Sequence, residues 1–166
     1  DNLIDFRAFD SDEEGEELDR FELTNIATAY TQGVVAELTY RHWPFFELRA
    51  AFQRLDARNL TKNRPLSGRA PNQISGTMNL RQPSGHFSFN GAAVWTDRRP
   101  FYLAEDDDGA EPVYANAYFN LSVNLTWHLH RALRLSLRGE NLLNEGEERF
   151  LTQRPRRYVV ALSGQL

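Results

Sequence analysis

The sequence contains no cysteine. A disulfide framework and thiolate metal sites are therefore excluded, and an oxidising compartment is permitted without being required. It also lacks any apolar run of about 18 residues, which excludes a transmembrane helix. Positive charge is not in surplus: 19 Lys and Arg against 23 Asp and Glu leave a net charge of −4. That balance argues against a general nucleic-acid binder, which needs locally dominant positive charge to neutralise phosphates. No Gly-rich phosphate loop and no nucleophile and base pair at useful spacing occur, so catalysis has no support and no cofactor is implied. The chain opens on Asp1-Asn2-Leu3, already strand-like, with neither an initiator methionine nor a signal peptide, and is expected to be a processed or partial product.

What is present is alternation. Hydrophobic residues make up 41% of the chain, and they recur with a period of two, the signature of strands with one apolar face. Across residues 117–129, Phe119, Leu121, Val123, Leu125, Trp127 and Leu129 alternate with Tyr118, Asn120, Ser122, Asn124, Thr126 and His128. A typical soluble strand has about five or six residues, so this segment is about twice as long as a sandwich core needs. The same pattern fills residues 46–53, 74–81, 87–96, 133–141 and 157–166, and more weakly 2–9. Residues 21–42 read as one long strand with an irregularity around Gly33, since a glycine inside a strand often marks a bulge. The fold class is all-β, with about eight antiparallel strands.

Connections alternate in length. Residues 42–45, 82–85 and 130–132 are tight turns, whereas 10–20, 56–72, 97–113 and 143–154 are long, polar and charged. Transmembrane β-barrels of the bacterial outer membrane sort their connections this way, with short periplasmic turns and long extracellular loops. Aromatic residues gather at both strand ends: Tyr40, Trp43, Phe45, Phe46, Phe87 and Trp127 near the short turns, and Trp95, Phe101, Tyr102, Tyr114 and Phe150 near the long loops. Amphipathic rings favour the two membrane interfaces. If the leucine face meets lipid, Glu37, Arg41, Glu47, Arg49, Arg81, Arg134, Arg138 and Glu140 must face inward. A cation on the lipid face at mid-membrane costs about 2–4 kcal/mol. These charges either pair with one another or contact an inner partner.

Several stretches resemble the C-terminal part of the barrel of TonB-dependent outer-membrane receptors. "TNIATAYTQGVVAELTYR" is similar to a strand pattern of that family, with Asn25, Ala29, Gly33 and Val34 matching; Ala27 stands where Gly is usual and Val35 where Glu is usual. "LRAAFQRLDARN" followed by "RPLSGRAPNQISG" looks like the next hairpin, and "RGENLLNE" resembles the penultimate-strand motif that closes the strand at the outer rim. "RPRRYVVALSGQL" is similar to the final strand, ending in Leu166 where Phe is common. The resemblance implies that residues 1–166 are the last eight strands of a 22-stranded barrel whose plug domain is absent from this chain. It implies import of a scarce ligand (siderophore, cobalamin, sugar or peptide) across the outer membrane, with TonB, the plug, the remaining barrel and outer-membrane lipid as partners. It further implies that Tyr158, Val160, Leu162 and Leu166 form the apolar terminal stripe read by the assembly machinery.

The long segment "TDRRPFYLAEDDDGAEPVY" supplies the ligand-binding candidates. Arg98, Arg99 and Tyr102 suit an anionic ligand, and Asp106, Asp107, Asp108 and Glu111 suit a hard cation through oxygen donors. The competing reading is a solvated acidic loop, as for "SDEEGEELDR". His128 and His130 stand at i and i+2, yet no carboxylate lies near them in sequence, so they read as rim residues and no metal is expected. The sequons at Asn59, Asn120 and Asn124 read as chance matches, the latter two being inside a strand. Two other architectures fit parts of the pattern: a complete eight-stranded barrel with a structural or adhesion role, and a soluble β-sandwich binding module.

Overall fold

The computed structural model describes residues 3–9, 20–26, 28–103, 111–146 and 155–164. Among these the regular structure is all strand: β1 (Leu3–Phe9), β2 (Arg20–Ile26), β3 (Ala29–Trp43), β4 (Phe46–Asn59), β5 (Arg64–Pro65), β6 (Asn72–Arg81), β7 (Phe87–Thr96), β8 (Arg99–Phe101), β9 (Val113–Ala115), β10 (Tyr118–His130), β11 (Leu133–Glu140) and β12 (Arg157–Gly164). The main sheet runs β12-β11-β10-β7-β6-β4-β3, with β5 added beside β4. Every pairing in it is antiparallel. β1 pairs with β2, and β8 with β9, in two small sheets.

Register turns the alternation into continuous rows. Ala36, Phe52, Ile74, Trp95 and Phe119 stand level across five strands. Nearer the short turns follow Tyr40, Leu48, Met78, Gly91, Val123, Gly139 and Tyr158, then Phe46, Leu80, Phe89, Leu125, Leu137 and Val160. Between these rows, on the opposite face, stand Glu47, Asn79, Asn90, Asn124 and Arg138, level with one another. One face is thus a band of apolar side chains and the other is polar, because successive residues of a strand point to opposite sides.

Much of the apolar band is exposed among the described residues. Phe52, Ile74, Leu48 and Leu137 are exposed, and Leu38, Tyr158, Val160 and Leu162 are about two-thirds exposed or more, at 67, 66, 71 and 66%. Among the described residues no large side chain is fully buried. A sheet of this length in water would bury such a band against a second layer. The few buried apolar residues, Ala57, Leu66, Tyr102 and Ala115, gather at the long-loop end instead. β3 and β12 are the two ends of the sheet and do not pair with each other, so the strands described do not close into a small barrel of their own.

Two expectations need correction. The segment 21–42 is not one strand: β2 ends at Ile26, β3 starts at Ala29, and the two pair with different neighbours. Gly33 is not a bulge either, since pairing runs unbroken through Gly33↔Leu55 and the irregularity falls between Tyr40 and Trp43. Glycine is required there for another reason: a Cβ would sit 2.7 Å from the carbonyl oxygen of Arg54. Short strands β5, β8 and β9 also organise parts of two segments that read as loops.

Candidate functional site: the long-loop rim

At the long-loop end the segments between strands are tied together by backbone bonds. Leu66 N–H donates to Ala57 O at 2.9 Å, Gly68 N–H to Pro100 O at 2.8 Å, and Leu55 N–H to Pro71 O at 2.8 Å. Gly68 has φ of 70°, a left-handed conformation, with its Cα side against the Phe101 ring. Asn72 Nδ2 donates to Asp97 Oδ2 at 2.8 Å, and Asp97 N–H returns to Asn72 O at 3.1 Å. The 60–71 connection and the β7–β8 corner therefore form one packed unit.

Three arginines of this rim lie over tyrosine rings. Arg64 sits 3.9 Å from the Tyr102 centroid, Arg98 4.9 Å from Tyr114, and Arg99 5.2 Å from Tyr118. Such cation–π contacts are each worth about 0.5–2 kcal/mol, more as water is excluded. Tyr102 is buried, and burial raises its phenol pKa above the ordinary 10.0, with the Arg64 charge opposing and Tyr114 adding to the rise. Arg99 is only 9% exposed, and its Nε and Nη2 have no hydrogen-bond partner among the described residues.

A second latch closes the rim beside it. β11 stops at Glu140, and Asn141 and Asn144 take positive φ of 45° and 53°. Asparagine tolerates this conformation better than most residues. Leu142 N–H donates to Leu121 O at 2.8 Å, Asn144 N–H to Asn141 O at 2.9 Å, and Asn141 Nδ2 to Glu145 O at 3.1 Å. The Glu145 carboxylate in turn accepts from Phe119 N–H at 2.7 Å, and Asn144 Oδ1 from Arg156 N–H at 3.0 Å. The Asn-Leu-Leu-Asn stretch is thus a folded corner that fastens β11 onto the top of β10.

Of the candidates for anion contact, Arg98 is exposed, while Arg99 and Tyr102 are buried. Glu111 is exposed, and Asp106, Asp107 and Asp108 lie outside the described residues. On the polar face, Glu47 pairs with Arg41 across the β3–β4 hairpin and with Arg49 at 2.7 Å along its own strand; Arg138 pairs with Glu140 at 2.9 Å. Arg134 Nε donates to Ser163 Oγ at 3.2 Å on β12. Glu37 and Arg81 are exposed on β3 and β6. A register irregularity separates His128 from His130. Asn59 is buried, and its Oδ1 accepts from Lys62 N–H at 3.0 Å, a turn-closing role. Tyr158, Val160 and Leu162 line the apolar face of β12; Leu166 lies outside the described residues. The sequence reading missed Arg64 and Tyr118, whose only signal was an arginine or tyrosine beside a strand end.

The sequence profile described as TonB dependent receptor-like, beta-barrel, matches residues 1–142. The chain belongs to the TonB-dependent receptor β-barrel family. Solved receptor barrels of similar fold include the pyoverdine outer membrane receptor FpvA from Pseudomonas aeruginosa PAO1 bound to pyoverdine, at 13% identity and a TM-score of 0.68 over 99% of this chain. The ferric enterobactin receptor PfeA from Pseudomonas aeruginosa, in complex with enterobactin, gives 14% identity and 0.68 over 98%. The FrpB iron transporter from Neisseria meningitidis gives 14% and 0.61 over 87%. This chain spans 25, 27 and 24% of those receptors, about a quarter of each. No curated protein matches it.

Proposed function

We propose that this chain forms the C-terminal part of the wall of a receptor that imports a scarce ligand across the bacterial outer membrane. The remaining strands and a plug complete that receptor, and TonB energises it. The observation that carries this reading is the exposed apolar band running level across the main sheet in a chain of this family. Lipid is the medium that leaves such a band stable without a second protein layer. The polar face then lines the interior, where Glu37, Arg81, Arg134 and the Arg41–Glu47–Arg49 group meet the plug or interior water. The long loops point outside, and the arginine–tyrosine rim is where ligand is held, with Arg98, Tyr102 and Glu111 at its edge. Tyr158, Val160, Leu162 and Leu166 serve as the terminal stripe read during assembly. Relatives of this fold crystallised with pyoverdine and with enterobactin favour an iron chelate among the possible ligands.

The test is made in cells. The protein should fractionate with outer membranes, migrate faster in gels unheated than boiled, and support uptake of iron-55 chelates that stops when the inner-membrane gradient is collapsed. Recovery in the soluble fraction without detergent would refute the membrane assignment, and uptake indifferent to the gradient would refute the energised mechanism.

A further inference from the structure

We propose that Arg99 is the base of an oxyanion socket, binding a carboxylate or phosphate-type group side-on through Nε and Nη2. The argument starts from what is left unpaired. Those two nitrogens belong to the same edge of the guanidinium, where two N–H bonds run parallel and match the two oxygens of a carboxylate or phosphate. Neither has a hydrogen-bond partner among the described residues, although the side chain is more than nine-tenths buried. A buried cation without a counter-charge is costly, and an aromatic contact offsets only part of that cost.

The surroundings hold the guanidinium in place. The Tyr118 ring lies 5.2 Å from its carbon, and Arg99 pairs with Ala115, which is fully buried, across the β8–β9 sheet. Tyr118 stands level with Thr96 and Gln73, all on the polar face, and Gln73 Nε2 donates to Thr96 Oγ1 at 3.4 Å. The socket therefore belongs to the side that the receptor reading makes the barrel interior, at the end bearing the long loops. Its near neighbours are otherwise engaged: Arg64 lies over Tyr102, and Arg98 is exposed over Tyr114. Arg99 alone among these three combines burial with a free fork.

The oxyanion has two possible sources, an incoming ligand or a carboxylate of another segment of the receptor, and the proposal rests on the receptor reading only for that choice. The experiment is calorimetric titration of the intact receptor in detergent at low salt, with citrate and separately with inorganic phosphate. Saturable binding of either one, weakened at least tenfold in Arg99→Lys and unchanged in Arg131→Lys at the opposite end, supports a ligand-borne oxyanion. Arg99→Lys keeps the charge and removes the fork. If neither probe binds, the melting temperature of Arg99→Lys decides, since this variant keeps the charge over the Tyr118 ring: a lowered value means that an internal carboxylate holds the fork. A melting temperature unchanged or raised overturns the proposal, as do probes that bind wild type and Arg99→Lys alike. Heat-modifiable migration checks that each variant has folded. Failure to fractionate with outer membranes would sink the receptor reading while leaving the titration readable.

Discussion

Asn90 of β7 donates a side-chain hydrogen bond to Asn79 of β6, and the two stand level with Asn124 of β10 on the polar face. Val123, one residue from Asn124, stands among the apolar rows. A register slip of one residue would exchange these faces along the whole strand. Adjacent positions should therefore respond oppositely to charge. Val123→Arg should destabilise the folded barrel by about 2–4 kcal/mol, the cost of a cation against hydrocarbon, while Asn124→Arg should cost much less. Urea unfolding from phosphatidylcholine vesicles measures both.

The close approach of β3 and β4 makes a second prediction. Gly33→Val must push against the Arg54 carbonyl, because the first added carbon already lies 2.7 Å from it. A loss of about 1–3 kcal/mol is expected, as for other overpacked sites. The same substitution at Gly85, where a Cβ meets nothing within 4 Å but φ is 75°, should strain the turn without separating strands. Hydrogen exchange at β3 amides distinguishes them: Gly33→Val should accelerate it and Gly85→Val should not.

The rim corner should depend on its asparagines. Replacing Asn144, at φ of 53°, with Val forces a β-branched residue into the left-handed region and removes the acceptor for Arg156 N–H. The expected loss is about 1–2 kcal/mol. Asn144→Gly restores the backbone and should recover most of it, which thermal unfolding of the two variants checks.

The apolar and polar faces were legible in the sequence because strand periodicity is local: Phe119 to Leu129 declare their side without any partner. The "RGENLLNE" stretch was legible as a strand end for the same reason. The break after Ile26 was not, since no Gly or Pro marks it and the change of partner, from β1 to β4, reveals it. Gly33 was misread because a missing side chain has the same appearance in sequence whether it permits a bulge or a close approach. The arginine–tyrosine rim was partly legible: Arg98, Arg99 and Tyr102 stood out as a group, but Arg64 meets Tyr102 from a segment distant in sequence, joined there by bonds such as Gly68–Pro100.

Tyr102 gives the rim a pH dependence. Its phenol is held above the ordinary 10.0 chiefly by burial, so the folded state binds the proton more tightly than the unfolded chain does. The stability this contributes is present in full below pH 10 and is lost as pH rises through the folded value. Rim unfolding monitored by proteolysis within the 97–103 and 111–118 segments should accelerate above that pH. Tyr102→Phe should remove most of the dependence.

The most direct test of lipid against the apolar face uses the absence of cysteine. Single cysteines placed from Phe119 to Leu125, spin-labelled in the receptor reconstituted into vesicles, report collision with oxygen, which partitions into lipid, and with a water-soluble nickel chelate. Oxygen accessibility should peak at Phe119, Leu121, Val123 and Leu125 and fall at Asn120, Ser122 and Asn124. A profile without that alternation, or protection of the apolar positions from both probes as inside a packed core, would contradict it.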